Sequence, residues 1–189
     1  MITDINQLDL NKRYSYSDYL QWEFKERVEL IKGRVFKMSP APSVRHQQVS
    51  RNLLHFLDPF LWKKTCQLFH APFDVKLNKK GKDTVVQPDI CVVCDASKLD
   101  DQSCNGAPDL IIEILSPGNS RKERKEKFEL YEENEVKEYW LVDITENSII
   151  VYTLSEQGRY VGSKPYVTGE SAVSTVLAGL DIPLTELFE

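Results

Sequence analysis

Two short apolar runs, each interrupted by one acid, constrain this chain more than any other feature. They are TVVQPDICVV at 84–93 and DLIIEIL at 109–115. Runs this rich in Val and Ile read as buried strands. Asp89 lies inside the first and Glu113 inside the second. A carboxylate among such neighbours is costly to bury and needs a partner. Strand side chains alternate, so Glu113 shares a face with Ile111 and Leu115, and Asp89 sits between Gln87 and Cys91 on its own strand face. The fold has to bring a cation or hydrogen-bond donors to both acids.

A cation follows at once. The segment from Ser120 to about Asn134 reads as a helix, with Ser120 and Glu123 as an S-x-x-E capping box. Most of its charges form a solvated face, the usual meaning of such a run. Lys127 differs, because it shares a stripe with Arg124, Phe128 and Tyr131 and so borders the face that docks on the sheet. Alone, an acid of this kind is a strand-end or salt-bridged residue, and such a lysine snorkels to water. Together, two carboxylates and a lysine point to magnesium-dependent phosphodiester hydrolysis, since Mg²⁺ takes hard oxygen ligands and activates water.

Two further residues stand near this set. VELIKGRVFKM predicts a hairpin turning at Lys32-Gly33, which pairs Glu29 with Phe36 and sets it on the face of Ile31. A structural salt bridge accounts for Glu29 equally well. Ser43 caps a helix whose apolar positions are Val49, Leu53, Phe56, Leu57 and Phe60, and His46 opens it. A lone histidine there is more often a hydrogen-bonded structural residue.

Other chemistry lacks support. Cys91 and Cys94 fall three apart in a strand, so they face opposite sides and cannot chelate together. There is no zinc spacing, no G-x-G-x-x-G, no phosphate-binding P-loop and no G-x-S-x-G. The N-terminus lacks the apolar stretch of a secretory signal, and no run reaches membrane-span length. The expectation is a cytoplasmic chain with no membrane partner and four reduced cysteines. The net charge of −5 disfavours a large phosphate footprint and leaves only a local basic patch at 121–127.

At 189 residues the chain suits one domain over 1–189, with 1–15 as an irregular arm. SYSDYLQW reads as a short helix, CQLFHAPFDVKL as extended, and VVQPDICVV as a buried strand with Pro88 at a start or irregularity. DASKLDDQSCNG reads as a loop. EYWLVD and SIIVYTL are strands turning around TEN, RYVGSKPYV and SAVSTV are strand-like, and LTELFE closes as a helix. Strands outnumber helices, which predicts an α+β (mixed α/β) fold with a central mixed sheet flanked by helices.

The ordered set E-L-I-K-G at 29–33, His46, Q-P-D at 87–89, E-I-L-S-P at 113–117, Lys127, Tyr131 and E-Y-W-L-V-D at 138–143 resembles the Uma-two family of the PD-(D/E)XK superfamily. The resemblance runs from about residue 15 to the end. It implies a restriction-endonuclease-like sheet with an extra N-terminal hairpin and C-terminal strands, and an endonuclease acting on DNA. The superfamily pattern puts a lysine two residues after the glutamate, where this chain has Leu115. The resemblance implies that the lysine has moved to the following helix, as Lys127. Glu123 stands where the family commonly has an aspartate. Asp89, Glu113, Lys127 and Glu29 are then the catalytic set. Asp89, Glu113 and the Ile114 carbonyl would hold Mg²⁺ (Mn²⁺ as substitute), with His46, Gln87 and Tyr131 as accessories. The competing expectation is a non-catalytic domain of the same fold that binds nucleic acid or protein, which Leu115 and the acidic charge favour. A homodimer is expected, since two-fold pairing is the commonest oligomer and would add DNA contacts.

Overall fold

A computed structural model describes residues 2–9, 11–38, 42–78, 81, 83–116 and 121–189, leaving aside the side chains of 121–123. The elements run α1 (Tyr16–Tyr19), β1 (Val28–Ile31), β2 (Arg34–Lys37), α2 (Val44–Leu61), β3 (Gln67–His70), β4 (Asp74–Lys76), β5 (Val85–Val86) and β6 (Ile90–Val93). They continue with β7 (Ser103–Asn105), β8 (Leu110–Leu115), α3 (Arg121–Glu133), β9 (Glu138–Asp143), β10 (Ser148–Leu154), β11 (Tyr160–Gly162), β12 (Ser171–Val173), β13 (Asp181–Pro183) and α4 (Leu184–Phe188).

The fold is a mixed α+β arrangement. A six-stranded sheet has the order β11-β10-β9-β8-β6-β3, and a five-stranded sheet the order β2-β1-β5-β4-β7. Each contains one parallel pair, β8 with β9 and β4 with β7. The β8–β9 crossover is made by α3, as a parallel neighbour requires. The expected hairpin forms, with Glu29 opposite Phe36. Lys32 and Gly33 both take positive φ, 52° and 77°, which matches the twist of a two-residue turn.

Three apolar clusters hold these layers. One face of the six-stranded sheet packs on α2 through Val49, Leu53 and Leu57, spaced at four and fully buried. Its other face meets α3 and the five-stranded sheet around Ile111, Leu130, Tyr131 and Tyr139. The third cluster joins β1 and β5 to the N-terminal residues. Among its described residues the arm at 1–15 carries a 3-10 turn at Ile5–Gln7 and is anchored by Ile5, Leu8 and Tyr14, which are buried.

The structure corrects three expectations. VVQPDICVV is two strands in two sheets, because Pro88 has no N–H for a ladder and the chain changes sheet across Gln87–Asp89. DASKLDDQSCNG is more than a loop, since β7 within it pairs in parallel with β4. The cysteines are not all reduced. Gln67 stands opposite Val93, so Cys66 and Cys94 meet across the same antiparallel pair and are disulfide-bonded, while Cys91 and Cys104 are buried thiols. The Ser120 capping box lies outside the described residues.

Candidate active site where the two sheets meet

The site begins with strand register. Ile90 faces Ile112 in the antiparallel β6–β8 pair, so one further step sets Asp89 against Glu113. Asp89 lies just outside β6, and its Oδ2 accepts from the Ile114 N–H at 2.8 Å. His46, near the start of α2, brings Nε2 to 3.3 Å from the same oxygen. The helix fixes this approach, because the Ser43 hydroxyl caps it by accepting from the His46 N–H.

Glu113 is met from the α3 side. Its Oε1 accepts from Lys127 Nζ at 2.8 Å and from the Tyr131 hydroxyl at 2.5 Å. Lys127 and Tyr131 lie four apart, one helical turn, so both reach the same oxygen. Lys127 Nζ is also 3.2 Å from Glu29 Oε1, which belongs to the other sheet. The Gln87 N–H donates to that Glu29 oxygen at 3.0 Å. These bonds make two groups, His46–Asp89–Ile114 and Gln87–Glu29–Lys127–Glu113–Tyr131, joined through the Glu113–Ile114 peptide. Leu115 lies at the end of β8 and supplies no polar group.

Sequence reasoning missed the outer part of this network. The Gln87 side-chain oxygen accepts two bonds from Arg27, at 3.1 and 2.8 Å, and its amide donates to Asp74 at 2.8 Å. Arg27 and Asp74 come from distant segments, and no local pattern marks either.

Burial sets the electrostatics. It pushes the Glu113 carboxyl up to about 7; Lys127 opposes the rise, while Asp89 and Glu29 add to it. Burial works against the Lys127 charge, but Glu113 and Glu29 outweigh it, and Lys127 holds its proton more tightly than a free lysine. Burial and then Glu113 raise Tyr131 well above an ordinary phenol, so it remains a donor. For His46, burial is outweighed by the hydrogen bond to Asp89 and its charge, which together raise its pKa.

The donor set fits a hard divalent cation. Glu29, Asp89 and Glu113 face the Lys127 ammonium and the His46 imidazole, and the acids that Lys127 does not offset add to the raised Glu113 pKa, a site that a further cation would relieve. Among the described residues no donor bonds Asp89 Oδ1 or Glu113 Oε2. No three acids, histidines or cysteines there form a ready-made cage. Two carboxylate oxygens with the remaining positions left to carbonyl and water is the habit of Mg²⁺.

The comparisons with known proteins agree with this architecture. A crystal structure described as a "putative nuclease belonging to DUF820" from Anabaena variabilis superposes with a TM-score of 0.71 at 20% identity, covering 92% of this chain and 97% of the other. At that identity the likeness establishes the fold. "Uncharacterized protein slr1290" of Synechocystis sp. is 28% identical over 152 residues, 79% of this chain and 78% of the relative. No helix among the described residues is long and apolar enough to cross a membrane. The family model for Uma2, "Putative restriction endonuclease", matches residues 16–185, and the chain belongs to that family.

Proposed function

We propose that this chain is a Mg²⁺-dependent endonuclease that hydrolyses phosphodiester bonds of DNA, with Mn²⁺ as a substitute, and that it works as a cytoplasmic homodimer. The observation that carries the reading is Asp89 beside Glu113, with Lys127 bonded to the latter. Asp89, Glu113 and the Ile114 carbonyl are the groups that would hold the ion, which would lower the pKa of a bound water and offset phosphate charge.

The chain's own residues do the rest. The Ile114 N–H and His46 fix one oxygen of Asp89 and leave Oδ1 for the ion. Tyr131 and Lys127 fix Oε1 of Glu113 and leave Oε2. Lys127 keeps its proton at Nζ and offers it as a hydrogen-bond donor to negative charge developing on the phosphate. Glu29 orients that ammonium, and the Gln87 N–H holds Glu29.

A second reading is a nuclease-fold module that binds nucleic acid or protein without cutting. Leu115 in the usual lysine position favours it. The deciding experiment is cleavage of plasmid and linear DNA at low salt with Mg²⁺, Mn²⁺ or chelator, for wild type, Asp89→Asn and Lys127→Ala. Metal-dependent nicking lost in both variants supports the nuclease. Equal trace activity in all three supports the module.

A further inference from the structure

At Gln87, two residues before Asp89, lies a cleft of about 270 Å³ lined by Tyr19, Leu20, Trp22, Phe24, Arg27 and Gln87. We infer that this cleft holds one unstacked nucleobase of the strand being cut, so that the preferred substrate carries an unpaired nucleotide next to the scissile phosphate. This rests on the reading that a nucleic-acid strand occupies the Asp89–Glu113 site.

The walls are aromatic and held in place. Trp22 packs edge-on to Tyr14 at 5.2 Å and to Tyr19 at 5.7 Å, with Phe24 tilted beside it at 5.4 Å. A fixed ring offers stacking that every base can use. Leu20 is 56% exposed at this edge, an apolar surface with no protein cover. Arg27 is pinned to Gln87 by two hydrogen bonds, and among the described residues its Nη1 has no partner. That leaves an oriented donor for a ring carbonyl or nitrogen.

Charge separates a base from a phosphate. Glu23 and Glu26 line the same cleft and are exposed. They repel a phosphate, yet they accept hydrogen bonds from the amino and imino groups of a base. The volume is close to the small end of ligand sites, about 300 Å³, and suits a ring system better than a larger ligand.

Position ties the cleft to the chemistry. Gln87 lines it, and the N–H of Gln87 bonds Glu29. Asp89 is two residues further on, a reach of at most about 7 Å along the backbone. A nucleotide whose phosphate lies at Asp89 can therefore place a neighbouring base in the cleft. Extruding a base is least costly where it is already unpaired, which sets the substrate preference.

The test is an abasic scan. Short single-stranded deoxyoligonucleotides, each lacking one base, are titrated against the protein in chelator by fluorescence anisotropy. One position should weaken binding about tenfold, the scale of one lost base–aromatic stack. Arg27→Ala and Leu20→Ala, both at exposed side chains, should weaken the intact strand and flatten the scan while the melting temperature is kept. Equal affinity at every position, or no binding of the intact strand, overturns the inference. Cleavage of the same strands with Mg²⁺ is read separately. Cleavage with a flat scan removes the base site and keeps the nuclease, whereas a position-dependent scan without cleavage does the reverse.

Discussion

Lys127 on α3 reaches Glu29 on β1, Nζ to Oε1 3.2 Å, and so closes an ion pair between a helix packed on one sheet and a strand of the other. The same ammonium holds Glu113 at 2.8 Å. One cation thereby fixes two carboxylates that the chain delivers from opposite sides.

Removing that cation should be expensive. Lys127→Ala leaves two nearly buried carboxylates without their counter-ion. Losing one partner of a buried pair costs roughly 3–5 kcal/mol. Urea unfolding in chelator should show a loss near the lower figure, because Glu113 can take up a proton instead. Saturating Mg²⁺ should recover part of it. A loss that Mg²⁺ leaves unchanged would count against a metal site at these acids.

Asp89→Asn should behave differently. It removes a negative charge beside Glu113 but also the counter-charge of the buried His46, so the metal-free loss should be smaller than that of Lys127→Ala. A ligand at about 100 times its Kd stabilises by about 2.7 kcal/mol. That Mg²⁺-dependent rise in melting temperature should be present in wild type and absent in the variant. Scanning calorimetry with and without Mg²⁺ checks it, and an equal rise in both proteins would exclude Asp89 as a ligand.

The Glu113 carboxyl gives a pH signature. Its pKa rises from 4.5 to about 7 on folding. Between those values the native state binds more protons than the unfolded chain. Its contribution is therefore full below about 4.5, declines as pH rises to about 7, and is then constant. At 1.36 kcal/mol per unit the decline totals about 3 kcal/mol. Glu113→Gln cannot ionise and should lose this decline. Relative to wild type it should gain up to that amount between about pH 4.5 and pH 8 in metal-free urea titrations. Parallel pH profiles for the two proteins would contradict the raised carboxyl.

Glu138 makes a structural prediction away from the site. It is fully buried on β9 and accepts from Trp140 Nε1 at 2.7 Å, Ser174 Oγ at 2.7 Å, the Thr175 N–H at 2.7 Å and hydroxyl at 2.5 Å, and the Val176 N–H at 3.3 Å. The residues after β12 are thus pinned to β9 by one carboxylate. Glu138→Gln points an amide N–H₂ at groups that are themselves donors. It should destabilise by roughly 2–4 kcal/mol, since charge-assisted bonds are lost and buried donors are left unpaired. Urea melts measure it, and limited proteolysis should cut first after residue 173.

Much of this architecture is legible in the sequence, for physical reasons that differ by element. Alternation set Glu113 beside Ile111 and Leu115, and helical spacing brought Lys127 to the sheet-facing stripe with Tyr131. Both patterns are long enough to have a period. The three-residue β7 is too short for one, and it exists only because β4 offers it an edge. The Cys66–Cys94 bond depends on the β3–β6 register, which neither cysteine's own surroundings reveal. The change of sheet at Pro88 is a tertiary event that a local reading sees only as an irregularity. The Arg27–Gln87–Asp74 chain likewise joins segments that meet only after folding.

That change of sheet has a mechanical consequence. Gln87 and Asp89 are two residues apart, yet the N–H of the first bonds a strand of one sheet and the side chain of the second bonds a strand of the other. The Gln87–Asp89 segment therefore works as a hinge pin whose two ends are clamped to different plates. Any partner or bound strand that slides one plate past the other alters the spacing of Glu29 from Lys127, whereas Asp89 and Glu113, both held on the six-stranded sheet, keep theirs.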